Sequence, residues 1–147
     1  MTTITDTTLT ISRIIQASPE RVFEAWTNPE IMAKWSAPEG VDQIECNSNF
    51  HVGGQYQIKM INPEGRVHTA VGSYLQIQRP NKLVYTWDWL EDQLRMNIDT
   101  VITVEFNPIG ETTEVILTHD LFPNREMAEG HNQGWSSSLN RLERLFQ

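Results

Sequence analysis

The chain has 147 residues, 39% of them hydrophobic, which is enough to bury a core without disulfides or structural metals. Nineteen acidic against eleven basic side chains leave a formal charge of −8. That charge repels phosphate backbones and anionic bilayers, so nucleic acid and membrane insertion are set aside as partners. A single cysteine, Cys46, excludes an internal disulfide and a thiolate metal cluster.

The start "MTTITDTTLTISR" lacks the basic and apolar segments of a signal peptide. No apolar run approaches the ~20 residues of a membrane span. One cytoplasmic domain over residues 1–147 is the expectation. "TLTISRIIQ" (Thr8 to Gln16) alternates and is β-branched, which predicts a strand. Ser18-Pro19-Glu20 and Asn28-Pro29-Glu30 each read as cap, first-turn proline and first-turn acid, predicting two short helices with an elbow between them.

From Val41 to His119 the pattern is strand after strand. Alternation aligns Tyr56, Ile58 and Met60; then Leu83, Tyr85, Trp87 and Trp89; then Ile102, Val104 and Phe106; then Val115, Leu117 and His119. "NPEG", "RPNK" and "NPIGE" supply turns, and Gly72 marks a bulge or a close backbone approach. Asp88 alternates with Trp87 and Trp89 and is expected at solvent.

The last helix begins after Asn124. Its inward row runs Met127, His131, Gly134, Trp135, Ser138, Leu139, Leu142 and Phe146. The second half suits tight packing. The first half offers small and polar residues, and Gly130 and Gly134 each cost a helix about 1 kcal/mol relative to Ala. Either close packing or space for a guest should offset that cost. Aromatic strand rows opposite such a helix suggest a cavity for a small molecule. Candidate contacts from the strands and their loops are Phe50, Tyr56, Met60, His68, Tyr74, Trp87 and Trp89. The helix adds Met127, His131 and Trp135.

The segments "ISRIIQASPERVFEAWTNPEIMAKW", "HVGGQYQIKM", "GSYLQIQRPNKLVYTWDW" and "LTHDLFPNREMAEGHNQGWSSSLNRLERLF" cover nearly the whole chain in order. They resemble the family built on the C-terminal domain of the activator of the heat-shock protein 90 ATPase, in the START/polyketide-cyclase-like (SRPBCC) superfamily. The resemblance implies an α+β helix-grip fold. A curved antiparallel sheet of six to seven strands would wrap a long C-terminal helix over a hydrophobic cavity, with two short helices after the first strand. The sequence departs from the family at Ser36 and Ala37, where a Trp and a Gly are common, and at Asn49 and His51, where an Asp and an Arg are common.

No motif for catalysis stands out. The four histidines, His51, His68, His119 and His131, lack the spacing of a helical zinc site. The resemblance makes His119 a strand-end residue bonding the turn into the last helix, in preference to a metal ligand. Cys46 and the serines Ser136 to Ser138 have no base placed by spacing. No cofactor or metal is expected. The leading expectation is binding of a small, largely apolar molecule. A cyclase or hydrolase using His68 or His131 as acid–base is the alternative. Two further partners stay open: a second copy of the chain and a chaperone.

Overall fold

The computed structural model describes residues 1–147. In chain order the elements are β1 (Thr2–Ile4), β2 (Leu9–Ile15), α1 (Pro19–Thr27), α2 (Pro29–Trp35), β3 (Gln43–Ser48), β4 (Gln55–Ile61), β5 (Val67–Gln78), β6 (Lys82–Trp89), β7 (Thr100–Ile109), β8 (Thr112–Asp120) and α3 (Arg125–Leu145). All neighbouring strands are antiparallel, in the order β1-β2-β8-β7-β6-β5-β4-β3. The eighth strand, beyond the six to seven expected, is β1. Three residues are too few for alternation to reveal, and β1 gains its definition only by pairing Thr2 with Ile11.

Local chemistry sets the helix ends. Ser18 accepts from the Arg21 N–H at the start of α1. The Asn28 backbone closes α1 on the Glu24 carbonyl, and its side chain opens α2 by accepting from Glu30 N at 3.0 Å. One residue therefore ends one helix and starts the next, which makes the elbow. Asn124 Oδ1 accepts from Met127 N at 2.9 Å and starts α3.

The inward rows of the strands are buried from Leu83 to Trp87, Ile102 to Phe106 and Val115 to His119. They meet Phe23 and Trp26 of α1, with Phe23 edge-on to Phe106 at 5.3 Å. Gly72 is the close-approach case: a Cβ there would lie 2.0 Å from the Thr86 carbonyl oxygen. The bulge in β5 falls between Tyr74 and Gln76 instead. Helix α3 packs closely on β2 and α2, and it stands off β4, β5 and β6. The space for a site lies in that gap.

Candidate functional site

Leu139 and Leu142 are fully buried and seat the C-terminal half of α3 on the core. Toward its N-terminus the same face carries Met127, Gly130, His131, Gly134 and Trp135, and there a cavity of about 520 Å3 separates helix from sheet. A Cβ at Gly130 would meet nothing within 4 Å; at Gly134 it would touch only Pro38 Cγ, at 3.8 Å. Neither glycine is required by tight packing. What they contribute is room.

One wall is the loop after α2, through Ser36, Ala37, Pro38 and Val41. Helix α3 holds that loop down. Ser138 Oγ donates to the Trp35 carbonyl at 2.8 Å, and Glu39 N donates to Ser137 Oγ at 2.6 Å. The Arg141 guanidinium donates to the carbonyls of Lys34, Ala37, Pro38 and Val41, and Arg144 pairs with Glu39. Two of the three hydroxyls in the serine run therefore anchor a loop.

Two imidazoles each accept a hydrogen bond from an indole, and each is locked in one tautomer. Trp135 Nε1 donates to His119 Nδ1 at 3.1 Å, so His119 carries its proton on Nε2 and donates to Thr100 Oγ1 at 2.8 Å. The Thr100 hydroxyl in turn donates a hydrogen bond to the Trp87 carbonyl. Trp89 Nε1 donates to His131 Nε2 at 3.2 Å, and His131 Nδ1–H donates to the Met127 carbonyl at 2.9 Å. Burial lowers both imidazole pKa values, that of His119 well below the usual range, so both rings are neutral. The rings lie 5.2 Å apart, yet their nitrogens are committed to indoles, Thr100 and a carbonyl. No group of three or more His, Cys, Asp or Glu is placed to hold a metal ion.

Three tyrosines form the opposite wall. Tyr56 donates to the Thr86 carbonyl at 2.6 Å, Tyr74 shares a hydrogen bond with Ser48 at 2.9 Å, and Tyr85 accepts from Trp26 Nε1 at 3.1 Å. Burial raises all three phenol pKa values, so they stay protonated. Trp87 Nε1 is buried with no partner. The exposed side chains of His68, Gln93 and Glu126 form the rim.

Of the residues predicted as contacts, Tyr56, Met60, His68, Tyr74, Trp87 and Trp89 line the cavity from the sheet, and Met127, His131 and Trp135 line it from α3. Phe50 does not. It leaves the sheet after β3 and packs edge-on against Tyr74 at 5.0 Å and Phe23 at 6.2 Å, behind the cavity wall. Asp88 also departs from expectation. Its Oδ1 accepts from the Trp89 and Met96 N–H groups at 2.8 Å each, and its Oδ2 from Asn97 N at 3.2 Å. It thereby folds the segment that brings Gln93 and Leu94 to the cavity.

Residues not anticipated as contacts include Trp26, Trp35 and Met32, whose seats depend on how the first helices dock. Tyr85 was within reach of the sequence, since it alternates onto the Trp87 face.

A curved antiparallel sheet gripping a terminal helix, with an aromatic cavity between, defines a helix-grip domain. The family described as Activator of Hsp90 ATPase homolog 1-like protein matches residues 16–147, and the chain belongs to that family. The fold is similar to that of a protein from Chromobacterium violaceum, at 26% identity and a TM-score of 0.83, covering 95% of this chain and 96% of that one. An AHSA1 protein from Silicibacter pomeroyi is similar at 25% identity and a TM-score of 0.81, covering 93% and 95%. A Rhodobacter sphaeroides protein shares the fold at 22% identity and a TM-score of 0.83, covering 99% and 95%. Among curated proteins, none matches this chain significantly.

Proposed function

We propose that this domain binds a small, largely apolar molecule in the cavity between the sheet and the first half of α3. The observation that carries the reading is the pair Gly130 and Gly134, helix-weakening residues that no close contact requires and that border the cavity. The volume of about 520 Å3 falls within the roughly 300–1,000 Å3 common for small-molecule sites. Burial of apolar ligand surface at about 25 cal/mol per Å2 drives binding. The hydrogen-bonded indoles, imidazoles and phenols give the guest a preformed wall, which reduces the ordering cost.

Native mass spectrometry of the purified protein, together with thermal shift against apolar probes, tests this reading. A retained small molecule, or a probe at 100 times its Kd raising the melting temperature by about 5–10 °C, is expected. No retained mass and no shift with any probe would remove the support for it.

Acid–base catalysis by His131 draws no help from the site, because both its nitrogens are engaged. A second reading, contact with a chaperone, rests on the family description, which names an activator of the Hsp90 ATPase. Absence of any ATPase stimulation by this chain would count against it.

A further inference from the structure

We infer that the guest is a neutral molecule bearing a hydrogen-bond acceptor, such as an aromatic ketone, and that Tyr85 and Trp87 are the side chains that read the acceptor. The inference rests on the cavity reading above and narrows it.

The first part is a matter of charge. No Lys or Arg lines the cavity. The only interior imidazole in the lining, His131, is held neutral between Trp89 and the Met127 carbonyl. The one acidic lining residue is Glu126, at the rim, on a chain of net charge −8. A carboxylate or phosphate would leave water for an apolar chamber without a counter-charge, at several kcal/mol per ion. A cation would find no interior carboxylate either.

The second part is the donor–acceptor inventory. Around His131 and Tyr85 the acceptor positions are in use: indole N–H groups reach His131 Nε2 and Tyr85 Oη, and His131 Nδ1–H faces a carbonyl. On β6 two donors that face the cavity are not taken. Trp87 Nε1 has no partner although Trp87 is only 5% exposed. Tyr85 accepts from Trp26, and its own hydroxyl hydrogen has no acceptor in the protein. Both residues stand in the wall of the cavity, two apart on β6, on one face of the sheet. A buried donor without a partner is costly, and a guest's carbonyl oxygen would satisfy it.

Three naphthalenes of similar size separate the possibilities by isothermal titration calorimetry: 2-acetonaphthone, 2-ethylnaphthalene and 2-naphthoate. The ketone should bind about fivefold more tightly than the hydrocarbon, the worth of one neutral hydrogen bond. The carboxylate should bind at least about tenfold more weakly than the ketone. Tyr85→Phe or Trp87→Phe should bring the ratio of ketone to hydrocarbon affinity down toward one, whatever either change does to both affinities together. Equal affinity for ketone and hydrocarbon in the unaltered protein overturns the acceptor claim. Naphthoate binding as tightly as the ketone overturns the neutrality claim. The wild-type comparison needs no variant to fold. Silence of all three probes defeats the cavity reading itself, and this inference with it.

Discussion

Replacing Gly130 and Gly134 with alanine should make the protein more stable and a poorer binder. Both positions lie inside the 21-residue helix α3. Alanine is favoured over glycine there by about 1 kcal/mol per site. The added methyl at Gly130 meets no atom within 4 Å, and at Gly134 it gains an ordinary contact with Pro38 at 3.8 Å, so no steric penalty offsets the gain. For a domain of this size each substitution should raise the melting temperature by about 2–4 °C. The double variant should gain about 4–8 °C if the sites act independently. Differential scanning calorimetry measures this. In parallel, affinity for 2-acetonaphthone should fall in the double variant, because the methyls occupy space that the guest needs. Destabilisation by either single alanine would refute the reasoning, since it would mean that the glycine serves close packing. Unchanged affinity in the stabilised double variant would refute the link between that space and binding.

Two other outcomes are expected. His119 and His131 are neutral when folded and titrate near about 6.5 when unfolded, so below that pH the unfolded chain takes up protons that the folded one refuses. Stability from these groups is full above neutrality and declines as pH falls. In urea titrations, His119→Gln should lose about 1 kcal/mol less than wild type between pH 7 and 5.5, and an equal loss in both rules out this origin. Arg141→Met should cost about 2 kcal/mol and sensitise residues 36–42 to protease, because three loop carbonyls and that of Lys34 at the end of α2 lose a charged donor; unaltered stability and cleavage would show that the loop holds itself.

The sequence exposed what repeats locally. Period-two rows marked the sheet from Tyr56 to His119, and period-3.6 spacing placed His131, Trp135 and Ser138 on one face of α3, because both patterns follow from backbone geometry alone. The caps at Ser18, Asn28 and Asn124 were legible for the same reason. What stayed hidden needs contacts between distant parts of the chain. Arg141 reads as one more charge on a helix until the carbonyls of Lys34, at the end of α2, and of the loop after it arrive beneath it. Asp88 obeys alternation, yet it turns back to cap its own connection to Asn97. Phe50 has the right chemistry for a ligand wall, but the chain leaves the sheet there and carries it behind Tyr74. Even Gly130 and Gly134 gave only a choice between crowding and emptiness, which the distance to Pro38 decided.

The five indoles form an unbroken series. Trp35 lies 4.6 Å from Trp26, Trp26 lies 6.4 Å from Trp135, Trp135 lies 5.3 Å from Trp87, and Trp87 lies 5.3 Å from Trp89. At such separations an excitation born on one ring migrates to the others before it is emitted. The set should therefore emit as one coupled group around the chamber, and a chromophore lodged inside should quench that emission as a whole.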